Sequence, residues 1–158
     1  LARFTSKLAD VVRIPEPVRA DLSLNELVRS VDALTRIECR KRNISLSLSL
    51  ADPDTIIRAD GIQLEQVLVN IVKNAYEAIG HDGRIRIVTT ADPPSVTVED
   101  NGPGIPEEIR KQLFTPFFTT KPSGQGIGLM FVREVLNNHR MAFSLTSQNG
   151  CTRFEISV

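Results

Sequence analysis

The sequence predicts an α+β fold, a two-layer α/β sandwich in which one mixed, mostly antiparallel sheet is covered on one face by helices. Apolar residues recur at helical spacing through Gly61–Ile79, and they alternate with serine at strand spacing through Ile44–Leu50. The later strand-like segments come as hairpin pairs rather than as successive crossovers, which argues against a doubly wound parallel sheet. At 158 residues the chain suits one domain with a real core and is short for two.

Leu1, Phe4, Leu8 and Val11 repeat at alternating three- and four-residue steps, a coiled-coil-like seam of under two heptads. "RIPEPVRADLS" interrupts it with Pro15 and Pro17 and reads as a linker closed by a helix N-cap at Ser23, with Glu26 three residues on. A boundary near Asp21 is expected: residues 1–20 form the end of one helix plus a linker, and residues 21–158 form the domain.

Leu24 to about Arg42 is helical by periodicity, and "ISLSLSL" follows as a half-buried strand. The long Gly61–Ile79 helix carries Val67, Leu68, Ile71, Val72, Ala75, Ala78 and Ile79 on one broad arc and is ended by Gly80 and Gly83. "RIRIVTT" and "SVTVED" make a hairpin around "ADPP". "PEEIRKQLF" is a short helix with Pro106 in its first turn. After the irregular "TPFFTTKPSGQG", a helix runs from about Ile127 to Asn138. "AFSLTS" and "TRFEISV" then close the sheet around "QNG".

Lys plus Arg and Asp plus Glu both total 19, so the chain lacks the positive excess that a phosphate backbone would attract, and no nucleic-acid partner is expected. No apolar run approaches the ~20 residues that span a bilayer, and no signal-peptide pattern opens the chain. Cys39 and Cys151 lack metal-ligand spacing and read as two buried, reduced thiols. A cytoplasmic location without membrane contact follows as an expectation, as does a piece of a longer protein, because the chain begins with Leu1 inside a helical pattern.

Four blocks carry chemistry. In "EDNGPGIP", Val96, Val98 and Asp100 share strand parity, so Asp100 prolongs an inward apolar row, where an unpaired carboxylate is costly. An Asx-type turn or helix cap is the plain alternative. Gly102 and Gly104 leave room for close approach to the backbone. Thr152 likewise extends the inward row of Phe154, Ile156 and Val158, with a hydroxyl bonded to neighbouring backbone as its alternative. A planar ligand with apolar faces and polar edges, such as adenine, would satisfy both residues.

On the long helix, Asn70 and Asn74 stack one turn apart beside the apolar arc, with Gln66 and Glu77 on the same flank. An amide oxygen suits a magnesium ion that keeps waters and substrate phosphates; helix-rim amides are the alternative. "GQGIGL" places Gly124, Gly126 and Gly128 at a loop-to-helix junction that favours phosphate, in neither Rossmann nor P-loop spacing. Between the glycine motifs, "LFTPFFTTKPS" offers Phe117 or Phe118 as an anchor and Lys121 for phosphate, or is simply a surface loop.

Together the blocks resemble the catalytic and ATP-binding domain of sensor histidine kinases, within the GHKL superfamily shared with DNA gyrase B and heat-shock chaperone ATPases. "QLEQVLVNIVKNAYEAI" is similar to the N box, "EDNGPGI" to the first glycine box, "LFTPFFTTK" to the F box and "GQGIGL" to the second; "GCTRFEI" resembles the final glycine-threonine strand. The resemblance implies ATP and Mg2+ as ligands. Asp100 would receive the adenine amino group, Thr152 would assist through water, and Asn74 would bind magnesium with Asn70 on the phosphate side. Gly102 and Gly104 would admit the base, Gly124, Gly126, Gly128 and Leu129 would line the lid, and Lys121 would contact the nucleotide from it.

Leu1–Val12 resembles the end of a dimerisation and phosphoacceptor helix, which implies as partners the protein's own phosphoacceptor domain in a homodimer and a response-regulator receiver domain. Two departures stand out: Cys151 takes a place where glycine is frequent, and "HRMAF" replaces a frequent His-Gly-Gly. Neither His81 nor His139 matches the acceptor, so the implied function is a kinase module donating the γ-phosphate to a histidine outside this chain. A GHKL-type ATPase, an anti-sigma-type serine kinase and a non-catalytic nucleotide-binding module are the alternatives; Asn70 disfavours the ATPase, because an amide cannot serve as a general base.

Overall fold

Helix start signals and strand parity set most of the architecture in the computed structural model, which describes residues 13–113 and 128–158. The described strands are β1 (Ala20–Ser23), β2 (Ile44–Ser49), β3 (Ile56–Ala59), β4 (Gly83–Ala91), β5 (Pro94–Asp100), β6 (Ala142–Gln148) and β7 (Cys151–Ser157). The helices are α1 (Leu24–Lys41), α2 (Gly61–Ile79), α3 (Glu107–Arg110) and α4 (Gly128–Asn138). The Leu1–Val12 seam lies outside the described residues.

Ser23 is the N-cap of α1: its hydroxyl accepts from the Glu26 N–H at 3.1 Å, satisfying one of the free donors at the helix start. Asp60 does the same for α2, accepting from Ile62 and Gln63, and Gly80 ends that helix at φ 81°. Pro106 stands at the N-cap of α3 rather than inside its first turn.

Five strands form one sheet in the order β2-β4-β5-β7-β6, parallel between β2 and β4 and antiparallel elsewhere. Its inner face meets the helices in a core that includes Val28, Val31, Leu68, Val72, Ile87, Val132 and Leu136, all fully buried. The α+β sandwich is as the periodicity predicts. Each edge strand has a free carbonyl taken by an arginine: Arg36 donates to Leu46 O on β2 at 3.2 Å, and Arg110 to Leu145 O on β6 at 3.1 Å. Such contacts blunt the pairing potential of sheet edges.

The structure corrects the reading of residues 13–23 as an irregular linker. β1 pairs antiparallel with β3, Ala20 opposite Ala59 and Ser23 opposite Ile56, in a separate two-stranded sheet. The preceding segment is tied down as well. Gln63 donates to Pro15 O at 2.9 Å, Val18 N–H donates to the Asp60 carboxylate at 3.0 Å, and Arg19 donates to Asn138 O at 2.8 Å. The ends of α2 and α4 are thus stitched to the stretch before β1.

Candidate functional site

Strand register arranges the inner face of the sheet in cross-strand rows. Leu48, Ile87, Val98, Phe154 and Leu145 make one wholly apolar row. The next row begins apolar with Leu46 and Ile85 and then turns polar: Asp100, Thr152 and Ser147 stand side by side on β5, β7 and β6. The sequence parity of Asp100 and Thr152 therefore brings them together as adjacent partners, with Ser147 as an unpredicted third.

Asp100 ends β5 half-buried, and its Oδ1 accepts from the Gly102 N–H at 2.9 Å. This is the Asx-type turn, so the turn and the inward carboxylate coexist. Burial pushes the Asp100 carboxyl above the usual carboxylate range, only partly offset by the Gly102 N–H. Thr152 is buried and lies 3.3 Å from Ser147 Oγ, a side-chain partner rather than its neighbouring backbone.

The loop after β5 is fixed from both sides. Asn101 Oδ1 accepts from Arg84 N–H at 2.6 Å, tying the loop to β4, while Ile105 N–H donates to Ser147 Oγ at 3.0 Å, tying it to β6. A side chain would crowd these groups where the chain passes them. A Cβ at Gly102 would stand 2.9 Å from Asp100 Oδ1, and one at Gly104 would stand 2.8 Å from Ser147 Oγ with φ at 84°.

Opposite the polar row, α2 presents Ile71, Asn74, Ala75 and Ala78, and α4 presents Leu129. Together with Val98, Asp100, Gly104, Thr152 and Phe154 they line an open cleft between helix layer and sheet, the concave and mainly apolar setting of small-molecule sites. Its walls are mainly apolar, and Asp100 and Thr152 bring polar groups to it side by side. Asn70, a turn before Asn74, has its Oδ1 3.9 Å from where a Cβ of Gly128 would lie, at the start of α4. Of the predicted residues, Asn74, Asp100, Gly104, Leu129 and Thr152 line the cleft, with Gly102, Asn70 and Gly128 beside it. Lys121, Gly124 and Gly126 lie outside the described residues, as do Phe117 and Phe118.

Sequence reasoning missed Ser147, although the signal existed: it shares strand parity with the inward Phe143 and Leu145. It also missed Asn101, whose tether to β4 depends on a contact 17 residues back. The thiol reading is corrected in one half. Cys39 is buried, which pushes its thiol up, but Cys151 is exposed because it alternates with the inward Thr152 and Phe154 on β7; both are free.

His139 is buried at the end of α4, its Nε2 accepting from the Asp60 N–H at 3.0 Å and its Nδ1 2.8 Å from Val135 O. Those contacts give it a packing role. His81 is exposed beside Asp82. Among the described residues no cluster of three or more His, Cys, Asp or Glu side chains stands ready to hold a metal, and no helix is long and apolar enough to cross a membrane.

A sheet with helices on one face, a glycine loop after the third sheet strand and an acidic residue lining the cleft are features that family comparison places. Residues 59–158 match the model of the histidine kinase-, DNA gyrase B- and HSP90-like ATPases, and the chain belongs to that family. Within it the chain is similar to sensor kinases. It is 34% identical to sporulation kinase A of Bacillus subtilis across 99% of its own length and 27% of that protein's. It is 35% identical to the catalytic domain of histidine kinase ThkA, with a TM-score of 0.80 over 89% of this chain and 94% of that one.

A second ThkA structure, in complex with the response regulator protein TrrA, matches at 28% identity and a TM-score of 0.79 over 99% of this chain and 48% of that one. Full-length ShkA in complex with AMPPNP matches at 25% identity and a TM-score of 0.83, over 94% of this chain and 33% of that one. The chain spans about a quarter of the length of sporulation kinase A.

Proposed function

We propose that this domain binds ATP with magnesium and, in the whole protein, donates the γ-phosphate to a histidine on a dimerisation domain outside this chain, for onward transfer to a response regulator. The observation that carries the reading is the polar row at the cleft end: a half-buried carboxylate beside a buried hydroxyl, flanked by apolar walls. A purine with an exocyclic amino group fits that pattern, its faces on the apolar walls and its amino group donating to Asp100. Membership of the ATPase family, the AMPPNP bound by ShkA and the response regulator bound by ThkA support the same reading.

The donor set fits magnesium better than a metal that needs its own protein cage. The described residues offer amide oxygens near the cleft, Asn74 and Asn70, and no carboxylate cluster. Magnesium favours few protein ligands, several waters and substrate phosphates. Asn74 would hold the ion, which when bound neutralises phosphate charge. The chain's own part is to seat the base on Asp100, admit it past Gly102 and Gly104, and direct the phosphates toward Asn70 and the α4 start at Gly128. Gly124, Gly126 and Lys121 would complete the phosphate side. Because transfer itself demands mostly positioning and charge neutralisation, this set suffices without a general base.

Calorimetric titration with ADP, with and without magnesium, tests the binding part. Magnesium is expected to strengthen ADP binding in the wild type and to lose that effect in Asn74→Ala, while magnesium-free binding stays unchanged. A magnesium effect that survives Asn74→Ala removes the metal assignment. For the transfer step, a longer chain that includes the upstream segment should acquire acid-labile, base-stable label from γ-labelled ATP. Absence of such label would argue for a binding module.

A further inference from the structure

Ser147 joins the glycine loop to β7. Its Oγ accepts from the Ile105 N–H at 3.0 Å and lies 3.3 Å from Thr152 Oγ1. A hydroxyl that accepts from a backbone donor keeps its own hydrogen to give, and Thr152 is the side-chain acceptor within reach. Thr152 in turn stands directly opposite Asp100 in the β5–β7 register, facing the same cleft.

We propose that Ser147 is a positioning residue for base recognition: it donates to Thr152, so that the Thr152 hydrogen points into the cleft toward a ring-nitrogen acceptor of the bound base. This rests on the adenine reading above and deepens it. Asp100 would accept from the amino group while Thr152, directly or through one water, donates to the nitrogen beside it. The two together read an adjacent donor and acceptor, the pattern of an aminopurine edge. Ser147 fixes the sense of the second hydrogen bond, and through Ile105 it holds the glycine loop against β6 at the same time. Gly104 has to be glycine for this latch to close, since a Cβ there would meet Ser147 Oγ.

The test separates orientation from scaffolding. ADP, 1-deaza-ADP and 7-deaza-ADP are titrated calorimetrically into the wild-type chain, Ser147→Ala and Ser147→Thr. One deaza analogue, the one lacking the nitrogen that Thr152 faces, is expected to bind the wild type about tenfold more weakly than ADP. Ser147→Ala should lower ADP affinity by about the same factor yet leave that analogue unaffected, and Ser147→Thr, which restores a hydroxyl, should recover ADP binding. Equal loss of all three ligands in Ser147→Ala, or undiminished ADP binding, overturns the proposal and leaves the adenine reading standing. Unchanged ADP affinity in Asp100→Asn overturns the adenine reading, and the proposal with it.

Discussion

Two places on the inner face of the sheet carry polar side chains, and they are built differently. At Thr89 on β4 the hydroxyl accepts from Ala51 N–H at 2.8 Å and donates to Asn25 Oδ1 at 2.7 Å, while Asn25 Nδ2 donates to Ala51 O at 2.8 Å. Thr89 and Asn25 are both buried, and each finds its partners within the protein. Four residues back along β4, Ile85 starts the row of Asp100, Thr152 and Ser147, which faces a cleft instead of a closed network. Asp100 there receives one described donor, the Gly102 N–H, and its carboxyl is raised by burial. A satisfied buried network stabilises the fold, whereas a polar row opening on a cavity keeps hydrogen-bonding capacity for a ligand.

Substitutions at the two places should therefore separate binding from stability. The largest effect is expected from Asp100→Asn, which removes a charged acceptor and should weaken ADP by about a hundredfold in calorimetry. Its melting temperature should stay level or rise, because the ionised carboxylate is disfavoured by its surroundings. Comparable losses of binding and stability would erase the contrast.

Thr89→Val is the converse. It keeps the side-chain shape but strands the Ala51 N–H and Asn25 Oδ1, and should cost about 2 kcal/mol in denaturant unfolding. ADP affinity of the folded protein should be unchanged. A binding loss as large as that of Asp100→Asn would mean that the closed network also shapes the cleft.

The smallest effect is in pH. A carboxyl raised in the folded state adds stability that is complete below its unfolded pKa and fades as pH rises through the folded value. Binding should run the other way, since the ionised carboxylate is the stronger acceptor for an amino group. ADP affinity is expected to fall severalfold as the pH drops through the raised Asp100 pKa, and this fall should be absent in Asp100→Asn. A pH profile that is the same in both proteins would assign the titration to another group.

The periodic elements were legible because each segment states its own period: Ile44–Leu50 alternates and Gly61–Ile79 turns. β1 and β3 were not, since each has four residues and they pair across 33 to 39 positions of sequence, a non-local contact that neither segment signals alone. For the cleft, parity sufficed to turn Asp100 and Thr152 inward, but pairing register was needed to set them side by side. Ser147 obeys the same parity rule and was passed over because a serine in "AFSLTS" has nothing to mark it until its partners, Ile105 and Thr152, are known. The exposure of Cys151 follows from that same parity, since it alternates with the inward Thr152 and Phe154 on β7.

A crystal structure of this chain with ADP and magnesium tests the central claim most directly. The account predicts the adenine amino nitrogen about 2.9 Å from an Asp100 carboxylate oxygen, with the ring between the α2 face at Ile71 and Ala75 and the sheet at Val98 and Phe154. A base seated elsewhere, or seated in the cleft with its amino group turned away from Asp100, would contradict it.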